Sequence, residues 1–301
     1  MNFQMSRSRE PSPSLKPFLG GIILSCCAAL AACGGSSSND ADSRSAETPL
    51  FAADIGCTGT NGPLDNLQTG LADRLDAGLA EQPGGAAYAG QLASLVVQSL
   101  DLVDALASGA GSLAALPNGG DPSLVAPVYH ELLCVTAAVA EVAVSASLDV
   151  TTPLAEQAAL EDLLGLIVEL QQVLLLGTAA LPSALDPGRV AADIGYVVQT
   201  LAGGVASLAN VFSVLPGGVG DAVLMPVAGL LLDVTGSLNA LNSGDTQASG
   251  QLLLGSVTNL VDSLADGLGP LGIALGPVNA LLAPVLNTLA DLLSGLLGIL
   301  L

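Results

Sequence analysis

Side chains able to do chemistry are few in this sequence. It has a single histidine, His130, five cysteines, and six lysines and arginines together. His130-Glu131-Leu132-Leu133-Cys134 places an imidazole and a sulfur one helical turn apart, but two ligands fall short of the four that a structural zinc takes. General acid–base or Ser–His chemistry would have to rely on that one imidazole. No Gly-x-Ser-x-Gly elbow occurs, nor any phosphate-cradling glycine loop followed by lysine. Glu161-Asp162 supplies two neighbouring carboxylates of the kind glycosidases use. They fall on a leucine-striped segment, where such a pair is a solvated face, and aromatic residues, the usual platforms of sugar sites, make up only 2% of the chain. The residues therefore assign no catalytic group, no cofactor site and no metal site, and the expectation is a protein that is not an enzyme.

The remaining reactive group is Cys33. Ahead of it, Arg7, Arg9 and Lys16 against Glu10 make a basic leader, and Phe18 to Ala32 is an apolar run ending in small side chains. That is the layout of a secretory signal, and the run is shorter than the roughly 20 apolar residues a bilayer span needs. Leu30-Ala31-Ala32-Cys33 resembles the lipobox of bacterial lipoproteins. The resemblance implies that residues 1–32 are removed and that the Cys33 thiol accepts a diacylglyceryl group as a thioether. It also implies several acyl chains, where one alone holds only marginally. Gly34 after Cys33, where some lipoproteins carry aspartate, implies the outer membrane, facing either the periplasm or the exterior. Residues 33–56 are rich in small, polar and acidic side chains and read as a flexible tether.

With the leader gone, Arg44, Arg74 and Arg189 are the only cations left, and Glu10 is the only one of the 27 acidic residues lost. A nucleic-acid partner is excluded, because counterion release from phosphates needs a basic footprint. Docking on anionic lipid through clustered Lys and Arg is excluded for the same reason. Loss of the leader also removes Cys26 and Cys27, and with Cys33 acylated, Cys57 and Cys134 remain as an even pair in an oxidising compartment. A bridge between them would close a loop of about 78 residues, which the chain-entropy model values at roughly 4 to 5 kcal/mol; two separate buried thiols are the alternative.

The elements that carry these residues read as helices. Leu64, Leu67, Leu71, Leu75 and Leu79 recur every three or four residues, with Asp65, Asp73, Asp76 and Glu81 elsewhere, the pattern of an amphipathic helix with Pro63 near its start. Further helices are expected from Tyr88 to Ala107 and from Ser123 to Ser147. Another should follow Thr152 as cap and Pro153 as first helical residue, with Leu160, Leu163, Leu164, Ile167, Leu170 and Leu174 on one side. Asp186-Pro187 opens the next, which Gly203-Gly204 is expected to loosen or break, and three more segments fill 221–301. Ile194 to Gly220 and Gly267 to Ala290 are uncharged and long, yet lack flanking Lys or Arg, and read as buried helices rather than spans. The fold class expected is all-α: a Leu/Ala/Gly-rich multi-helix bundle with an N-terminal lobe, 57–185, and a C-terminal lobe, 186–301. The terminal LLSGLLGILL is its stickiest segment.

The lipoprotein leader, the Ser/Gly tether and GCTGTNGPLDNLQTGLADRLDAGLAEQP, with Cys57 just ahead of Pro63-Leu64-Asp65 and a later Cys134, resemble the non-collagenous middle region of bacterial collagen-like surface lipoproteins. That resemblance implies a cell-surface role in adhesion or contact. The glycines here have no three-residue period, so no collagen triple helix forms. The function expected is a non-catalytic envelope lipoprotein with a structural or surface-contact role. The alternative is a carrier of lipids or other apolar small molecules, for which an aliphatic core with few bulky fillers would leave a cavity.

Overall fold

The structure, a computed structural model, describes residues 48–58, 62–82, 85–115, 121–149, 152–181, 187–213 and 219–269, and within 273–290 the positions 273, 275, 278, 280–288 and 290. Glu47–Leu301 forms one compact unit; Met1–Ala46 separates as another and lies outside the described residues. Outside them too are the leader, Cys33, the tether to residue 47, the glycine pairs at 119–120 and 217–218, and the terminal LLSGLLGILL.

The bundle is all-α, and among the described residues no strand occurs. In chain order the helices are α1 (Ala52–Ile55), α2 (Asp65–Ala80), α3 (Ala89–Ala115), a 3₁₀ turn (Pro122–Val125), α4 (Ala126–Leu148), α5 (Leu154–Ala180), α6 (Pro187–Ser213), α7 (Val219–Asn242) and α8 (Thr246–Leu268). Residues 280–288 are helical as well. Each helix from α2 to α7 packs on its sequence neighbour, the product of short connections. The central element is α3, which also touches α7 and α8. From Ser99 to Ala107 every side chain of α3 is buried, and α4 is buried without a break from Leu132 to Ala140. Both stretches are mostly apolar around the helix, as interior helices are, with Asp101 and Asp104 the charged exceptions.

The leucine stripes turn inward as the spacing requires. Leu64, Leu67, Leu71, Leu75 and Leu79 are fully buried, as are Leu160, Ile167 and Leu174 on α5. With few aromatics, the core is built of Leu, Val and Ala, and Tyr88 and Phe212 form an edge-to-face pair at 4.9 Å between the N-terminal side of α3 and the C-terminal end of α6. A single apolar cluster runs through residues on both sides of position 185; the boundary expected there falls at 182–186, outside the described residues.

Three local expectations are corrected. Thr152 does not cap α5: Pro153 occupies the N-cap position, and the Thr152 hydroxyl donates to the Ala146 carbonyl at 2.8 Å, closing the end of α4 instead. Gly203-Gly204 does not break α6, which runs continuously through it. The reason is packing: a Cβ on Gly204 would stand 3.0 Å from Leu163 Cδ1, so the small residue serves the α5–α6 contact. Finally, residues 48–56, assigned to the tether by composition, are fastened to the bundle.

Among the described residues, five helices are by length and composition apolar enough to cross a membrane, a property that suggests membrane association. Most of that apolar surface is turned inward, with 78% of the most apolar stretch buried in α3 and 72% in α4. The Val190–Ser213 stretch, covering most of the Ile194–Gly220 run, is 61% buried. The outlier is α5, equally apolar and only 28% buried.

Candidate functional site

Residues 50–57 are stitched to the bundle at several points. The Leu50 N–H donates to Gln171 Oε1 at 2.8 Å, and Gln171 Nε2 donates back to the Leu50 carbonyl at 2.8 Å. Two residues on, the Ala52 N–H donates to Glu141 Oε1 at 3.1 Å. Asp54 accepts from the Phe51 N–H at 3.1 Å and so starts the one-turn α1. Cys57 then bonds to Cys134 of α4, with Cα atoms 5.6 Å apart and the partners 77 residues apart in sequence. This strap thus fastens to α5, α4 and α4 again. A backbone amide and carbonyl that would be stranded against the bundle find side-chain partners instead.

Of the two cysteines set apart in the sequence, both are used in this one bond, and it removes Cys134 as a metal ligand. His130 lies beside it, its Nε2 3.8 Å from Cys134 Sγ. Among the described residues no three His, Cys, Asp or Glu side chains converge as a metal ion would require. Glu161 and Asp162 are exposed on α5.

Where α2 packs on α3 lies a group of carboxylates that pattern reading passed over. Asp101 and Asp104 of α3 and Glu131 of α4 are 0%, 2% and 2% exposed. Gln68 Nε2 donates to Asp101 Oδ1 at 3.0 Å, and the Leu64 N–H donates to Asp104 Oδ2 at 3.2 Å. Asp104 Oδ1 has no hydrogen-bond partner among the described residues. Burial pushes the Asp104 carboxyl up to about 7; the Leu64 N–H opposes that shift, and Asp101, Asp65 and Glu131 add to it. Burial, then Asp101, brings Glu131 to about 7 as well. The signal was present in SLDLVDAL, where two carboxylates three residues apart interrupt an otherwise apolar helix on its buried side.

Two surfaces remain. On α5, Val173, Leu175 and Leu176 are 49%, 46% and 51% exposed, and from Leu170 to Leu181 there is no charged side chain. Between α7 and α8 an open groove of about 650 Å³ is lined by Met225, Pro226 and Leu260, but also by Asp221, Asp233 and Asp266. Asn259 Nδ2 donates to Asp233 Oδ2 across it at 3.2 Å. An acidic, solvent-open groove does not fit an apolar ligand, which takes a mostly apolar and enclosed pocket.

Compared with protein-family models, with curated proteins and with solved structures, the chain matches none.

Proposed function

We propose that this chain is a non-catalytic envelope lipoprotein, held through acyl chains on Cys33, whose disulfide-clamped helical body serves structural or surface contacts. The observation that carries this reading is the strap: Leu50, Ala52 and Cys57 fasten the polypeptide downstream of Cys33 to α5 and α4. A body suspended from its N-terminal end needs that end secured, and a covalent bond close to the entry point supplies it. A disulfide fits an oxidising extracytoplasmic space. The lipobox-like Leu30-Ala31-Ala32-Cys33, and Gly34 after it, support an outer-membrane anchor, and the resemblance of residues 50–180 to the middle region of collagen-like surface lipoproteins supports a contact role. Apolar residues left on the outside of α5, with a core among the described residues built mainly of Leu, Val and Ala, favour contact over carriage.

Metabolic labelling with a palmitate analogue tests the anchor. Label on the natural protein and none on Cys33→Ser is the expected outcome; an unlabelled natural protein overturns the reading. Protease shaving of intact cells then reports which side of the membrane the body occupies.

A further inference from the structure

We infer that Cys57 is a thiol-exchange site: a dithiol reductant attacks Cys57 Sγ, and Cys134 departs as a thiolate beside the imidazole of His130. The inference uses the bridge and its surroundings alone and is independent of the acyl anchor.

The two sulfurs of the bridge are not equivalent. Cys134 is 0% exposed, within the unbroken buried run of α4, so a thiol arriving from solvent does not reach it. Cys57 is partly exposed, stands between the exposed Gly56 and Thr58, and follows α1, none of whose residues is buried. The course of thiol–disulfide exchange depends on which sulfur is attacked and on access to it. Attack therefore falls on Cys57, and Cys134 becomes the leaving group.

That leaving group has a partner. His130, the one histidine in the chain, stands one turn before Cys134 on the same side of α4, with its Nε2 3.8 Å from Cys134 Sγ. This nitrogen is a donor in its N–H tautomer and in the imidazolium. A donor or cation beside a thiolate stabilises the negative charge, and a better-stabilised thiolate leaves faster.

The attacking thiolate forms a bond to Cys57 Sγ, the Cys57–Cys134 bond breaks, and its electron pair stays on Cys134 Sγ. The reductant's second thiolate then attacks the reductant sulfur of the mixed disulfide and expels Cys57 as a thiolate. Two electrons have passed to the bridge, and the dithiol ends as a disulfide. Through both steps Gln171 still holds Leu50 and Glu141 still holds Ala52. Exchange thus proceeds on the folded bundle.

The test treats the natural protein, bridge intact, with 2-mercaptoethanol, quenches with acid at short times and maps the adduct by tandem mass spectrometry. An adduct on Cys57 with a free Cys134 is expected. An adduct on Cys134, or cleavage no faster than the global unfolding rate measured in urea and extrapolated to water, overturns the inference. The rate of cleavage by dithiothreitol then reads His130. His130→Leu, which removes the donor, is expected to slow it about threefold or more, with the adduct still on Cys57. Structural damage does not imitate that result, because a loosened strap would be cleaved faster. An unchanged or faster rate in His130→Leu takes the imidazole out of the step and overturns the inference.

Discussion

Gln171 closes a two-way amide pair with the backbone of Leu50, donating to its carbonyl and accepting from its N–H, each at 2.8 Å, across 121 residues of sequence. This pair decides where the body begins. It converts residues that composition assigns to a tether into a packed strap. Gln171→Ala is expected to cost about 1–3 kcal/mol for two such bonds. The cost should appear as a lower urea midpoint together with faster amide exchange at Leu50, while α2 and α3 remain protected.

Removing the bridge should cost more. Cys57→Ser with Cys134→Ser, or reduction of the natural protein, is expected to lower stability by roughly 2–5 kcal/mol. Denaturation with and without reductant measures it; coincident curves would show that the two sulfurs are not bonded in the folded protein.

Acid should stabilise this fold. Asp104 and Glu131 are held up to about 7, chiefly by burial, whereas free carboxyls titrate near 4. Between these values the native state keeps protons that the unfolded chain has released, so stability falls as pH rises through that window. Below about 4 the contribution is complete, and above about 7 it is gone. A higher urea midpoint at pH 5 than at pH 8 is expected, with a flatter profile in Glu131→Gln. The Leu64 N–H bond to Asp104 Oδ2 persists in both conditions, because a protonated carboxyl still accepts through its carbonyl oxygen.

Close approach between α4 and α5 depends on Gly177, where an added Cβ would stand 2.7 Å from Tyr129 Cε1. Gly177→Ala is therefore expected to destabilise by about 1–3 kcal/mol. Combining it with Tyr129→Leu should recover part of that loss. Purely additive effects in the double-mutant cycle would show that the two positions do not touch.

Helix positions followed from periodicity because burial on one side of a helix imposes a 3.6-residue repeat on residue type. Leu64 to Leu79 show the rule at full strength. The failures occurred where a side chain's partner lies in another element, near or far in sequence. Thr152 has the chemistry of a cap, yet its hydroxyl is taken by Ala146. Gly204 has the composition of a helix break, yet Leu163 occupies the space beside it and the helix continues. Asp101 and Asp104 were passed over in the sequence, and the surrounding of α3 by α2, α4, α7 and α8 puts them inside.

The amino-acid order by itself determined the helical class, the apolar stripes, the acidity and the scarcity of reactive groups, because each of these depends on residue type and local spacing. The tertiary structure alone decided which apolar helix keeps its side chains outward, which carboxylates lose water, and where the strap is fastened. Those outcomes depend on contacts between residues tens of positions apart, and no local pattern encodes which distant segment will cover a given side chain.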